Sequence, residues 1–206
     1  MDIKKLKQVE ENFLSMYPEG FYSAEMQKLA KKHKMEQMIK QTQGFFGKNF
    51  ADDVETACEN MVKIVNQSSM VSLFEKPKFR DAVKAMSTQQ KKDLVEGLEL
   101  FLHDSNKQQQ GFDKMLDVLK QFKLAKWSLL TIIPNYYHPD REVFVKPTTA
   151  KSVIGFFKLE GLVYKPQPSW SFYQNYRKQI LDMKNRVNAN LATNNAAFCG
   201  FLMMSI

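Results

Sequence analysis

From Ile3 to Phe122 the apolar residues recur three and four apart, and no stretch shows the two-residue alternation of a half-buried strand. That spacing restricts the chain to helices with one apolar stripe each, which must pack against one another. Ile3, Leu6, Val9, Phe13 and Tyr17 mark a helix over 2–17, and the Pro18 to Gly20 stretch stops it. Ser23 predicts an N-cap, with Glu25 in the first turn, for a helix running to about Gln41 on Met26, Leu29, Met38 and Ile39. Asp52 and Asp53 open a helix lined by Val54, Cys58, Met61, Val62 and Val65. After a short apolar piece, Met70 to Phe74, Pro77 sits at another helix start. Ser87 and Gln90 have capping-box spacing, ahead of Leu94, Val95, Leu98, Phe101 and Leu102. Phe112, Met115, Leu116, Leu119 and Phe122 mark one more helix.

The pattern changes at Trp127. The run from Trp127 to Ile133 is apolar throughout and reads as a short strand or, equally, as a buried helical turn. His138 to Arg141 has turn chemistry, and Glu142 to Val145 favours extended backbone, so the two pieces suggest one small antiparallel hairpin near 127–146. Thr148 or Thr149 would cap the following helix, through Val153, Ile154 and Phe157. Ser169 would cap a last long helix bearing Trp170, Tyr173, Tyr176, Ile180, Met183 and Val187. The apolar tail from Ala196 is expected to be tied into the core. The expected fold is therefore mainly α, a single-domain multi-helix bundle over 1–206, with an all-helical part (1–126) and a part holding the small β element (127–206).

At 206 residues the chain can bury a sizeable core without covalent staples. Cys58 and Cys199 lack metal or redox spacing and are expected to be reduced, buried small hydrophobes of a cytoplasmic protein. The charged N-terminus predicts no signal peptide, and no apolar run is long enough to span a membrane, so no membrane partner is expected. The formal charge is +8, unevenly spread: residues 1–100 hold 16 Lys/Arg against 15 Asp/Glu, and residues 101–206 hold 14 against 7. The later half is therefore the part expected to attract an anionic partner. The lysines around Lys28 to Lys34 scatter about their helix and read as a solvated face.

No phosphate-loop, dinucleotide-binding or zinc-protease motif occurs, and His33, His103 and His138 lack metal-ligand spacing, so no metal and no cofactor is expected. The best-shaped anion site is the helix start after Lys146, where free amides stand beside Thr148, Thr149 and Lys151. Arg141 and Arg177 are the cations that would complete it. The plainer reading is an ordinary threonine cap with solvated lysines. His138 could act as an acid or base, or its ring and the Asp140 carboxylate could only satisfy the backbone of a tight turn.

Two segments carry a resemblance. Phe144-Val145-Lys146-Pro147 with Ala150 and Lys151, followed by Tyr164, Pro166, Trp170 and Tyr173, resembles a family of bacterial hypothetical proteins. That family has an F-[LV]-K-P-x-x-[TA]-K segment, then a Y-x-P-x-x-x-W-x-x-Y segment, then a short aromatic-aliphatic terminus. Its pattern has an acidic residue near Ala197, which this chain lacks. The resemblance implies a recurring architecture and no particular activity. The expected function is a non-enzymatic binding module for nucleic acid or another anionic partner such as an acidic protein. The alternatives are an enzyme acting on a phosphorylated or anionic small molecule and a protein-interaction or assembly factor.

Overall fold

Asp2, Ser23, Asp53 and Ser87 each open a helix by accepting a hydrogen bond from a backbone N–H of the first turn, in a computed structural model that describes residues 1–206. Ser87 and Gln90 complete the reciprocal capping box. Between such starts the chain forms eleven α-helices, three short 3-10 turns and no strand. The helices are α1 (Ile3–Met16), α2 (Ala24–His33), α3 (Met35–Phe45), α4 (Val54–Gln67), α5 (Glu75–Ala85) and α6 (Thr88–His103). They continue as α7 (Gln108–Gln121), α8 (Trp127–Tyr137), α9 (Pro147–Phe156), α10 (Trp170–Lys184) and α11 (Asn195–Met204). One cluster of 51 buried apolar residues runs from Leu6 to Leu202. The terminal helix contributes Phe198, Phe201 and Leu202 to it, so the tail is tied in as expected.

The expected hairpin does not form. Trp127 to Tyr137 is helix α8, and every side chain from Trp127 to Tyr136 is buried. A helix enclosed on all sides has no polar face, so its sequence carries no helical period to read. Pro134 lies within it and removes one backbone donor; burial all around keeps the helix intact. Glu142 to Val145 forms neither helix nor strand. Its backbone is satisfied by side chains instead: Val143 N–H donates to the Tyr173 hydroxyl (3.3 Å) and Val145 N–H to Thr131 Oγ1 (3.0 Å). The helix expected from Ser23 to Gln41 is also two. Lys34 takes left-handed backbone (φ 50°, ψ 36°) between α2 and α3, a break that no glycine or proline announces.

α6 and α7 form the most extensive helix pair, and two glycines let them close. A Cβ on Gly111 would stand 2.5 Å from the Gly97 carbonyl oxygen and from the Phe101 nitrogen. α8 packs against α3, α4, α6 and α7, which makes it the central element. No helix is long and apolar enough to cross a membrane.

Both cysteines are free. Cys58 is buried as expected, whereas Cys199 is only half-buried. Burial, opposing the charged thiolate, pushes the two thiols up to about 11 and about 12. At pH 8 a disulfide-exchange reagent should therefore label neither site on the timescale on which it labels both in denaturant. Rapid stoichiometric release of reporter thiolate from native protein would contradict those raised values.

Candidate functional site

The proline-rich corner after α8 is held by one buried carboxylate. His138 turns the chain by accepting at its carbonyl from Arg141 N–H (3.0 Å) and Glu142 N–H (2.9 Å). Glu142 then enters the core, fully buried. Arg177 Nη1, from α10, reaches its two carboxylate oxygens at 2.7 and 2.6 Å. The Tyr173 hydroxyl donates to it at 2.8 Å, and Gln108 Nε2 at 3.0 Å. Gln108 Oε1 in turn accepts from Arg177 (3.2 Å), and Arg141 Nε lies 3.4 Å from Glu142. The Arg177 guanidinium packs over the Trp170 and Tyr173 rings. Burial, then the Glu142 charge, raises the Tyr173 phenol well above its ordinary value, so it stays a donor.

The C-terminal segment closes the same corner. Asn195 N–H donates to the Pro139 carbonyl (2.8 Å) and Asn195 Nδ2 to the Glu142 carbonyl (2.9 Å). Lys184 bridges Asn195 Oδ1 (2.9 Å) and Asp140 (3.1 Å). His138 Nε2 is taken up by the Leu102 carbonyl (2.8 Å), and burial lowers its pKa. These groups are occupied with one another, and the corner is a structural joint.

The six residues expected to hold an anion therefore separate into two sets. Arg141 and Arg177 meet on Glu142, which neutralises charge that would otherwise face a ligand. Lys146, Thr148, Thr149 and Lys151 lie at the start of α9. There the helix begins at Pro147, two or three residues before a Thr148 or Thr149 cap would place it, so Lys146 occupies the N-cap and, having no acceptor, makes no side-chain cap. Lys151 packs its ammonium 5.0 Å from the Tyr164 ring centre. No hydrogen bond or ion pair joins this set to Arg141, Arg177 or His138.

The later half holds fourteen Lys/Arg, of which seven form ion pairs: Lys107, Lys114, Lys120, Arg141, Arg177, Lys184 and Arg186. The other seven are all lysines, and three of them gather on one face. α7 ends with Lys123 in left-handed backbone (φ 58°). Leu124, buried just behind it, donates its N–H to the Leu119 carbonyl (2.9 Å) and anchors the turn. This leaves Lys120, Lys123 and Lys126 exposed. The Trp127 indole N–H then donates to the Lys165 carbonyl (2.9 Å), which fastens the extended 162–169 segment alongside.

Two adjoining open depressions result. One, of about 240 Å³, is lined by Lys120, Lys123, Ala125, Lys126, Pro166 and Gln167. The other, of about 390 Å³, shares Gln167 and is bordered by Lys165, Ser169, Ser171 and Asn175 above Trp127 and Phe172. No carboxylate lines either one. The spacing of Lys120, Lys123 and Lys126 is visible in the sequence; their meeting with the 165–167 segment is not, because it depends on tertiary contacts such as the Trp127 bond and the packing of Tyr164 on Phe172.

No family model, curated protein or solved structure matches the chain. The resemblance to the bacterial family thus rests on its sequence segments alone. In the fold, their Phe144, Val145, Ala150, Trp170 and Tyr173 are core residues.

Proposed function

We propose that the protein is a non-enzymatic binding module for a polyanion, nucleic acid first, through the face formed by Lys120, Lys123, Lys126 and Lys165. The carrying observation is that carboxylates are absent from two adjoining depressions bordered by four lysines, three of which have no ion pair. Lysines on a flexible stem suit phosphate oxygens as point charges. Gln167, Ser169, Ser171 and Asn175 add neutral donors beside them. The rings that line the depressions, Trp127 and Phe172, are buried and offer no stacking platform for bases. Binding by this face is therefore read through the backbone and is indifferent to base sequence.

The alternative of an enzyme on a phosphorylated or anionic small molecule requires Lys146, Thr148, Thr149 and Lys151 to converge in one pocket, with His138 as an optional further member. His138 is instead engaged by Leu102, in the joint around Glu142. For the binding reading, anisotropy should show affinity falling between 50 and 200 mM salt by roughly 40- to 150-fold for a short labelled duplex and roughly 20- to 50-fold for a labelled single strand. Both ranges correspond to about three or four phosphate contacts. K123E/K126E/K165E should abolish this binding with the fold intact. Absence of binding to either probe at the lower salt, or retention by the triple variant, overturns the reading.

A further inference from the structure

The loop between α4 and α5 carries an apolar tip on the outside of the molecule. Leu73 is 78% exposed and Phe74 82%, the two most exposed large apolar residues in the chain. The tip is ordered. Phe74 N–H donates to Ser72 Oγ (3.2 Å), and Glu75 N–H to the Ser72 carbonyl (3.0 Å). Behind it, Ser68 accepts from Met70 N–H (3.1 Å) and bonds the Tyr136 hydroxyl (2.9 Å) in the core.

Cations flank the tip on both sides. α5 carries Lys76, Lys78 and Lys84 away from it, while its Phe79, Ala82 and Val83 face the core. On the other side His33 Nδ1 bonds Ser69 Oγ (2.8 Å), which brings the end of α2, with Lys31, Lys32 and Lys34, against the same loop. None of these six lysines forms an ion pair. Of the acids on α5, Glu75 accepts from Ser128 and Asp81 pairs with Arg80; Glu36, exposed in the first turn of α3, is the acid next to Lys34.

We infer that Leu73 and Phe74 insert into the interface of an anionic lipid bilayer, with Lys31, Lys32, Lys34, Lys76, Lys78 and Lys84 on its headgroups. The tip stands exposed, so it can enter a surface that yields around it. A phenyl and an isobutyl group partition to the headgroup boundary, and each neighbouring lysine adds attraction to an anionic leaflet. The expectation of no membrane partner weighed only spanning segments; peripheral attachment needs none. The tip and the Lys123 face involve different residues, so neither reading depends on the other.

Vesicles of phosphatidylcholine, with and without phosphatidylserine, test this in a flotation assay at low salt. The protein should float with the anionic vesicles and not with the neutral ones. L73S/F74S, which changes only exposed side chains, should weaken flotation roughly tenfold or more. K31E/K32E/K34E should weaken it as well, and K123E/K126E/K165E should leave it unchanged. Native Trp127 and Trp170 are buried, so an F74W variant reports on the tip: its emission should shift to the blue and be quenched by brominated lipid. Equal flotation with neutral vesicles, an unshifted F74W spectrum, or loss of flotation in the K123E/K126E/K165E variant alone overturns the inference. A blue shift produced by polyglutamate in place of vesicles would assign the tip to an acidic protein instead, and also overturns it.

Discussion

Glu142→Ala should lower stability by about 3–5 kcal/mol, measured by urea unfolding, which is the usual cost of breaking a buried ion pair from one side. The substitution leaves Arg177, only 15% exposed, with Gln108 as its remaining partner, and takes the acceptor from Tyr173 and from Gln108. For a chain of this size the corresponding fall in melting temperature is roughly 6–20 °C. Arg177→Met should be similarly damaging, because Arg141 approaches Glu142 only at 3.4 Å and from an exposed position. The double variant Glu142→Leu, Arg177→Met should be less destabilised than the two single losses added together, since it leaves no buried charge unpaired. A loss below about 1 kcal/mol for Glu142→Ala would mean that the joint does not hold the corner.

Gly111→Ala should be as severe, for a steric reason. Its Cβ would meet backbone atoms, the Gly97 oxygen and the Phe101 nitrogen, at 2.5 Å, and neither can move unless α6 and α7 part. We expect a loss of about 3 kcal/mol or more, at the upper end of overpacking effects. Gly97→Ala should cost less, because its closest neighbour, Met115 Cγ at 2.8 Å, lies on a flexible side chain. At Gly44 and Gly155, in helices with nothing within 4 Å of the new methyl, the same change should stabilise by roughly 0.5–1 kcal/mol. Melting curves of the four variants check both signs. A Gly111→Ala protein as stable as the parent would show that the helix pair is not closed as described.

The candidate site was only partly legible. The basic excess after residue 100 is a property of the sequence, and half of those cations do stay unpaired. Which half was not readable. Arg141 and Arg177 were natural ligands for an anion until Glu142, beside one and distant from the other in sequence, folded between them. Neutralisation depends on which carboxylate lies within a few ångströms, and sequence separation does not report that distance.

Local chemistry by itself determined the helical class, the caps at Ser23, Asp53 and Ser87, and the two unpaired cysteines. Each of these depends on residues within a turn or two of one another, or on having no partner at all. Tertiary structure alone decided that Trp127 to Tyr137 is a helix, that Glu142 to Val145 pairs with no strand and bonds side chains instead, and that α2 breaks at Lys34. It also placed Leu73 and Phe74 outside, although their sequence reads as apolar as any core segment. Burial and pairing are set by distant parts of the chain, and a segment enclosed on every side, or on none, leaves no periodic trace of which it is.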